Sequence, residues 1–106
     1  MDKNYGEYAL IMKALGDETR IEILDMLSDG QLCACKILGR FNITQPTLSY
    51  HMKILIDSRL VNGRREGIWM KYSVNKDKLQ KIRQFFESID TNIRTKTTFN
   101  EQCRGW

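Results

Sequence analysis

The sequence predicts one mainly α-helical domain with a small β-hairpin, in the order helix, helix, helix, helix, strand, strand, helix. Two observations predict this fold. Apolar residues recur at helical spacing over most of the chain, and the period changes to two after Arg59 before helical spacing returns near Lys76. A chain of 106 residues has room for one domain. We expect that domain to span residues 1–94, and a polar, flexible tail to occupy residues 95–106.

Two short helices are predicted at the start of the chain. The first ends at Gly16, and its apolar residues at helical spacing are Tyr5, Tyr8, Ala9, Met12 and Leu15. Asp17 is a good N-cap for the second helix, because its carboxylate can accept a hydrogen bond from the free N–H groups of the first turn. The inward face of the second helix is expected to carry Ile21, Leu24 and Leu27, with Ile23 beside them.

A helix-turn-helix is predicted next. A short third helix at residues 31–40 is joined by residues 41–43 to a fourth helix, which Thr44 caps. Pro46 is tolerated because it lies in the first turn, where no helical hydrogen bond is lost. The buried face of the fourth helix is expected to be Leu48, Met52 and Leu55. Helix, short turn and capped helix together form the helix-turn-helix pattern.

A β-hairpin and a long last helix complete the domain. The alternating apolar residues of a half-buried strand are Ile68, Met70, Tyr72 and Val74. Residues 60–64 are its predicted partner, with the turn at Glu66 and Gly67. A hairpin with arginines near its tip, directly after a helix-turn-helix, is typical of a wing. The predicted fold class is therefore a winged helix-turn-helix.

The last helix carries more apolar surface than a terminal helix of a small domain needs. Its apolar stripe is Leu79, Ile82, Phe86, Ile89 and Ile93, with Phe85 beside it. We therefore expect part of this stripe to contact a second subunit.

Positive charge is concentrated in the middle of the chain. Residues 1–30 have a net charge of −4, residues 31–71 a net charge of +5 and residues 72–106 a net charge of +3. A localised basic block is expected of a protein that binds a polyanion. The fourth helix begins inside this block, so double-stranded DNA is the predicted partner.

The outward side chains of the fourth helix and the hairpin are the predicted DNA contacts. On the helix they are Thr44, Gln45, Thr47, Ser49, Tyr50 and Lys53, and on the hairpin they are Arg64, Arg65 and Lys71. The N-terminal end of such a helix enters the major groove, where Gln45 can pair with the edge of adenine. The hairpin cations are expected to contact phosphate, or in the case of Arg64 or Arg65 the minor groove.

Cys33 and Cys35 lie where the third helix is predicted to begin, beside the basic block. Residues 8–12 form an apolar stretch too short for a signal peptide or a membrane span, so we expect a cytoplasmic protein with reduced thiols and no membrane association. Three cysteines are an odd number, which favours a metal or reactive-thiol role. No general base or acid accompanies either thiol in a recognisable motif, so an enzyme is not expected.

The single histidine, His51, is flanked by core positions and is more typical of packing or a phosphate contact than of a metal ligand.

Three segments together resemble the ArsR/SmtB family of winged-helix repressors: residues 32–35 (Leu-Cys-Ala-Cys), residues 44–52 (Thr-Gln-Pro-Thr-Leu-Ser-Tyr-His-Met) and residues 64–67 (Arg-Arg-Glu-Gly). The resemblance implies a homodimer joined through its first and last helices, bound to an inverted-repeat operator and released by a metal or metalloid. The arsenic-sensing branch of this family carries a Cys-x-Cys pair in the third helix, which Cys33 and Cys35 match. That branch commonly adds a third cysteine three residues later, where this chain has Leu38.

The inducer implied by the resemblance is trivalent arsenic or antimony, with no intrinsic cofactor. Residues two apart on an ideal helix point about 200° away from each other, so binding by both thiols is predicted to distort or unwind the first turn of the third helix. The helix N-terminus and Lys36 are expected to lower both thiol pKa values.

The third arsenic ligand stays open at this point. It is either Cys103, a small cellular thiol, or the organic group of a methylated trivalent arsenical. Zinc is not expected, because the chain has no CxxC motif and one histidine. A cadmium- or lead-responsive repressor and a thiol redox switch are the alternatives.

Overall fold

The structure is a computed structural model that describes residues 4–96. Its elements in chain order are α1 Tyr5–Ala14, α2 Glu18–Leu27, β1 Leu32–Cys33, α3 Ala34–Leu38, α4 Gln45–Asp57, β2 Val61–Glu66, β3 Trp69–Val74 and α5 Lys76–Thr95. The predicted winged helix-turn-helix is confirmed, with one strand added before α3. Residues 97–106 lie outside the described part of the chain, so the predicted tail stays a prediction.

The two predicted N-caps are present. The Asp17 carboxylate accepts a hydrogen bond from the Arg20 backbone N–H at 3.1 Å, and the Thr44 hydroxyl accepts one from the Thr47 N–H at 3.3 Å. Each cap satisfies an N–H group that has no partner inside its helix. The caps therefore fix where α2 and α4 begin.

The predicted inward faces of α1 and α2 are partly wrong. Ile11 and Ala14 are the buried residues of α1, whereas Met12 is exposed. In α2, Ile23 is buried and Ile21 is exposed. Both helices have apolar residues on more than one side, so helical spacing alone did not select the side that the rest of the domain covers.

The third helix begins later than predicted. Residues 32 and 33 form the edge strand β1, which pairs antiparallel with β3 in a sheet of order β1-β3-β2. Gly30 turns the chain into this strand at a φ of 132°, a conformation that other residues rarely adopt. The strand forms because one edge of β3 is left free by the hairpin and offers unpaired backbone groups.

The core lies where α4 crosses the sheet and α2. Its fully buried members from α4 are the three predicted residues, Leu48, Met52 and Leu55. Val61 and Tyr72 reach this core from the hairpin. Ile68, predicted on the inward side of the strand, lies in the hairpin turn with 81% of its surface exposed, because Gly67 turns the chain there at a φ of 62°.

The long helix α5 buries little of its apolar stripe. Ile82 alone among the stripe residues is buried, and Phe85 packs on the Tyr8 ring of α1 with ring centroids 4.6 Å apart. The exposed apolar side chains of α1 and α5 are Tyr5, Leu10, Met12, Leu79, Phe86, Ile89 and Ile93. Across residues 4–96, no helix combines the length and apolar character needed to cross a membrane.

Candidate functional site

Every predicted DNA-contacting side chain of α4 is exposed. Most of them lie in the first two turns, whereas the buried residues of the helix are Leu48, Met52 and Leu55. The Thr44 hydroxyl accepts from the Thr47 backbone and also bonds the Thr47 hydroxyl at 3.0 Å. Lys53 pairs with Asp57 at 3.1 Å, but both side chains are exposed, so this pair holds the lysine weakly.

The three predicted hairpin cations do not share one surface. Arg64 on β2 lies directly opposite Lys71 on β3, so both point to the same face of the sheet. Arg65 lies opposite Met70 and points to the other face. The structure therefore separates Arg65 from the other two.

The hairpin packs closely on α4 through a glycine. A Cβ atom at Gly63 would lie 2.9 Å from the Cδ1 atom of Ile56 and 3.3 Å from the Tyr72 ring. Both distances are shorter than ordinary van der Waals contact. The lack of a side chain at Gly63 thus lets the wing, residues 61–74, sit against the helix that carries Gln45.

Arg64 is held by two partners that the sequence analysis missed. Its guanidinium donates to the Gln31 side-chain carbonyl at 3.2 Å and to the Glu66 carboxylate. Lys71 lies 3.2 Å from the other oxygen of Glu66. The hydrogen bond from Lys71 and the positive charge of Arg64 lower the pKa of Glu66. The signal that was available for part of this set is the spacing of Arg64 and Glu66, which puts them on one face of a strand.

The two thiols meet without unwinding a helix. Cys33 is the N-cap of α3 and has extended backbone angles, φ −80° and ψ 157°, whereas Cys35 lies in the first helical turn. Their sulfur atoms are 2.6 Å apart. The prediction that binding by both must distort or unwind a turn rested on a helical Cys33, and that premise is wrong.

The thiols differ in acidity. The hydrogen bond from Cys35, followed by the backbone N–H of Lys36, lowers the pKa of Cys33. The same hydrogen bond raises the pKa of Cys35, and burial and the negative charge on Cys33 add to it. The backbone N–H groups of Lys36 and Cys35 do lower the pKa of Cys35, but the effect of Cys33 outweighs them, so the expectation that both thiol pKa values are lowered is wrong for Cys35.

Both sulfurs line a groove of about 360 Å³ at the side of the sheet. We call it the thiol groove, and its other lining residues are Gln31, Leu32, Lys36, Trp69 and Lys71. Within residues 4–96, no three His, Cys, Asp or Glu side chains stand close enough together to hold one ion. The predicted third thiolate, Cys103, lies outside the described residues. The groove thus offers two soft sulfur ligands beside an indole ring and two cations.

His51 has a structural role in this arrangement. Its Nδ1 atom is 3.0 Å from the Arg20 guanidinium, which also donates to the Ala14 carbonyl at 2.6 Å. His51 therefore links α4 to α2 and the end of α1. This agrees with the prediction of a packing residue.

Comparison with known proteins identifies the family. The sequence model of the family described as "Bacterial regulatory protein, arsR family" matches residues 17–63. An arsenical resistance operon repressor from Staphylococcus xylosus is 46% identical over 89 residues, which cover 84% of this chain and 86% of that protein. The chain belongs to the ArsR family. A second arsenical resistance operon repressor, from Staphylococcus aureus, is 42% identical over 94% of this chain and 89% of its own length.

Solved structures of ArsR relatives share the fold. An ArsR-like transcriptional regulator from Rhodococcus sp. RHA1 matches with a TM-score of 0.75 and 27% identity, over 88% of each chain. The homodimeric winged helix-turn-helix DNA-binding domain of a possible ArsR-family regulator from Mycobacterium bovis matches with a TM-score of 0.67. That match has 24% identity and covers 91% of this chain and 90% of the other. This ArsR-family protein is thus a transcriptional regulator with a winged-helix DNA-binding domain.

Proposed function

We propose that this protein represses transcription in the cytoplasm by binding operator DNA as a homodimer, and that a trivalent arsenical bound by Cys33 and Cys35 releases it. The observation that carries the proposal is the convergence of the two sulfur atoms, 2.6 Å apart, in a groove on the sheet that forms the wing. A role in regulation, without catalysis, follows from the family.

The exposed face of α4 supports the DNA-binding part of the proposal. Short polar side chains at its N-terminal end, such as Thr47 and Ser49, suit contacts with base edges in the major groove. Gln45 is the proposed base-reading residue. The proposed phosphate contacts, which supply affinity with little sequence preference, are Lys53, Arg64, Arg65 and Lys71.

The exposed stripe of α5 supports the homodimer. Phe86, Ile89 and Ile93 are 53%, 41% and 67% exposed in the single chain, and the exposed Tyr5 of α1 adjoins them through the Phe85 ring. Contiguous apolar surface of this kind marks an interaction site in proteins that are otherwise polar outside. A two-fold dimer would present two copies of α4 to an inverted repeat.

The inducer is proposed from the ligand chemistry of the thiol groove. Thiolates are soft ligands that favour thiophilic ions over magnesium or calcium. Trivalent arsenic and antimony form pyramidal complexes with three ligands, of which the groove supplies two. The third is Cys103, a small cellular thiol, or the organic substituent of a methylated arsenical.

The test first selects an operator for the protein from random duplex DNA. Release of the protein from this operator by arsenite is then measured under argon by fluorescence anisotropy. Arsenite should lower the affinity of the wild-type protein for the operator and produce a thiolate-to-arsenic absorbance. Cys33→Ser and Cys35→Ser should keep operator binding and lose both responses. Release of Cys33→Ser at the wild-type arsenite concentration would show that the pair is not the sensor.

Cys103→Ser separates the possible third ligands. If Cys103 is the third ligand, this variant responds to methylarsonous acid but needs a higher concentration of arsenite than the wild type. If a small thiol completes the site, Cys103→Ser responds to arsenite normally when glutathione is present. In both cases Cys33 and Cys35 remain necessary.

A thiol redox switch is the second candidate, because the contact between the two sulfurs also suits oxidation. Peroxide would take two electrons and two protons from Cys33 and Cys35, forming one S–S bond and two waters. Operator release by peroxide, with no response to arsenite, would favour this candidate over the first. Release by cadmium or lead, with no response to arsenite, would assign a different thiophilic inducer to the same thiols.

A further inference from the structure

We propose that Gln31, together with Glu66, is a positioning residue that couples the thiol groove to the DNA-contacting wing by holding the guanidinium of Arg64. This inference rests on the proposed function. It makes contacts across the sheet, and not an unwound helix, the route by which arsenic binding at the thiols affects the wing. No change in α4 is required.

The connection consists of contacts on one face of the sheet. Cys33 on β1 lies opposite Lys71 on β3, and Lys71 lies opposite Arg64 on β2, so the three side chains form one row across the strands. Gln31 is two residues before Cys33 and lines the same groove. Its side-chain carbonyl accepts from Arg64 at 3.2 Å, which joins the segment before β1 directly to the wing.

Glu66 closes the connection from the other side. Its carboxylate accepts from Arg64 and lies 3.2 Å from Lys71, the neighbour of Cys33 in the register. Arg64 is therefore held between one partner on the cysteine segment and one on the wing. The two exposed contacts bias the guanidinium toward one position before DNA arrives, and a preorganised contact loses less conformational entropy on binding.

Ligand binding must disturb this arrangement at the thiol end. The two sulfurs now share one hydrogen bond, which needs a proton. When both are thiolates bound to one arsenic, that proton is gone and the hydrogen bond with it. Two sulfurs bonded to one arsenic lie farther apart than 2.6 Å, so Cys33 and Cys35 then move, and Gln31 is on the same short segment. Movement of Gln31 removes one of the two partners of Arg64, so the wing loses its preorganised cation.

The test compares three equilibria in wild type and Gln31→Ala. They are binding of the protein to the operator, binding of arsenite to the free protein, and binding of arsenite to the protein–operator complex. In wild type, arsenite should weaken operator binding by about 5- to 150-fold, the usual range of coupling between two sites. Because Gln31 lines the thiol groove, arsenite binding to Gln31→Ala is measured directly from the thiolate-to-arsenic absorbance, and release is compared at equal occupancy of the thiols. Its operator affinity without arsenite should already be lowered severalfold, and arsenite should lower it by less than about 3-fold more.

Gln80→Ala is the matched control, because Gln80 is exposed on α5, away from the groove and the wing. It should keep the full wild-type response. Glu66→Gln tests the same connection from the wing and should also reduce the loss of operator affinity that arsenite causes. If Gln31→Ala loses arsenite binding or fails to fold, the result for Glu66→Gln decides the question. Full arsenite release in Gln31→Ala or Glu66→Gln, with both binding steps intact, would overturn the proposal.

A DNA-free measurement supports the same distinction. Arsenite should shift the side-chain Nε–H resonance of Arg64 in the wild-type protein, assigned with Arg64→Lys, and should leave it unshifted in Gln31→Ala. An Arg64 resonance that arsenite leaves unshifted in the wild type would overturn the coupling between the thiol groove and Arg64, while leaving the proposed arsenic sensor intact. If arsenite fails to release the wild type at all, the proposed function itself is wrong.

Discussion

At the scale of single residues, two cysteines of the same local sequence have different chemistry. Cys33 lies at the end of a strand and Cys35 in the first turn of α3, and the hydrogen bond between their sulfurs lowers the pKa of Cys33 and raises that of Cys35. The hydrogen bond stabilises the thiolate of Cys33 and the thiol of Cys35. Cys33 should therefore be the sulfur that attacks an arsenical first.

The difference predicts the order of alkylation. The thiolate is the reactive form, and the pKa of Cys33 is lowered while that of Cys35 is raised, so iodoacetamide should modify Cys33 faster at about pH 8. The two rates should converge as the pH rises past the raised pKa of Cys35, where both thiols are ionised. Peptide mass spectrometry over time gives both rates.

Cys35→Ala provides the control for this order. It removes the hydrogen bond that lowers the pKa of Cys33, so alkylation of Cys33 should slow at about pH 8 and be unchanged at about pH 10. Equal rates for the two wild-type thiols at the lower pH would contradict the assigned donor and acceptor.

At the scale of elements, α4 and the wing present different kinds of contact. The first turns of α4 carry short polar side chains with an amide at Gln45, and the wing carries guanidinium groups. Because Gly63 lets the wing pack on α4, the two contacts are fixed relative to each other. We expect α4 to determine sequence preference and the wing to supply affinity.

Gln45→Ala and Arg65→Ala should separate these contributions. Gln45→Ala should cost about 1–3 kcal/mol with the preferred operator and relax the preference at one base pair. Arg65→Ala should weaken binding by a similar factor on every sequence and reduce the salt slope by about 1. Binding titrations on single-base operator variants at several salt concentrations measure both. A lost base preference in Arg65→Ala, or none lost in Gln45→Ala, would contradict this division.

The helices could be predicted from the sequence, whereas β1 could not. Asp17 and Thr44 marked the starts of α2 and α4 because a cap acts on its own helix, a local effect. The two residues of β1 are too few to show a period, and they form a strand because β3 offers an edge that is distant in sequence. The mechanism predicted for the cysteines failed for this reason. The contact between Gln31 and Arg64, 33 residues apart, is equally non-local.

At the scale of the whole molecule, charge and apolar surface are separated. The N-terminal third of the chain is acidic and the middle is basic, and the whole chain has a net charge of +4. Seven of the eleven large apolar side chains exposed within residues 4–96 lie on α1 and α5, which the Phe85 and Tyr8 rings join. Operator affinity should therefore depend on the association of two chains.

Ile93→Glu tests this dependence, because Ile93 is 67% exposed in the single chain and its replacement leaves the core intact. A charge in the apolar interface should shift the dimer to monomer in sedimentation velocity. Loss of the second α4 should then lower operator affinity by about 100-fold or more. Gln84→Glu adds the same charge on the opposite face of α5 and should stay dimeric. An Ile93→Glu protein that remains a tight dimer would place the interface elsewhere.

The brevity of β1 has a consequence for the speed of the response. A strand of two residues is far shorter than the usual five or six, so its separation from β3 is a local opening that occurs much more often than unfolding of the domain. The sulfurs can therefore move apart and exchange partners many times during the lifetime of one folded molecule. We expect the delay between exposure to an arsenical and the start of transcription to be set by how fast the ligand reaches the thiols, because a two-residue strand should open faster than the ligand arrives.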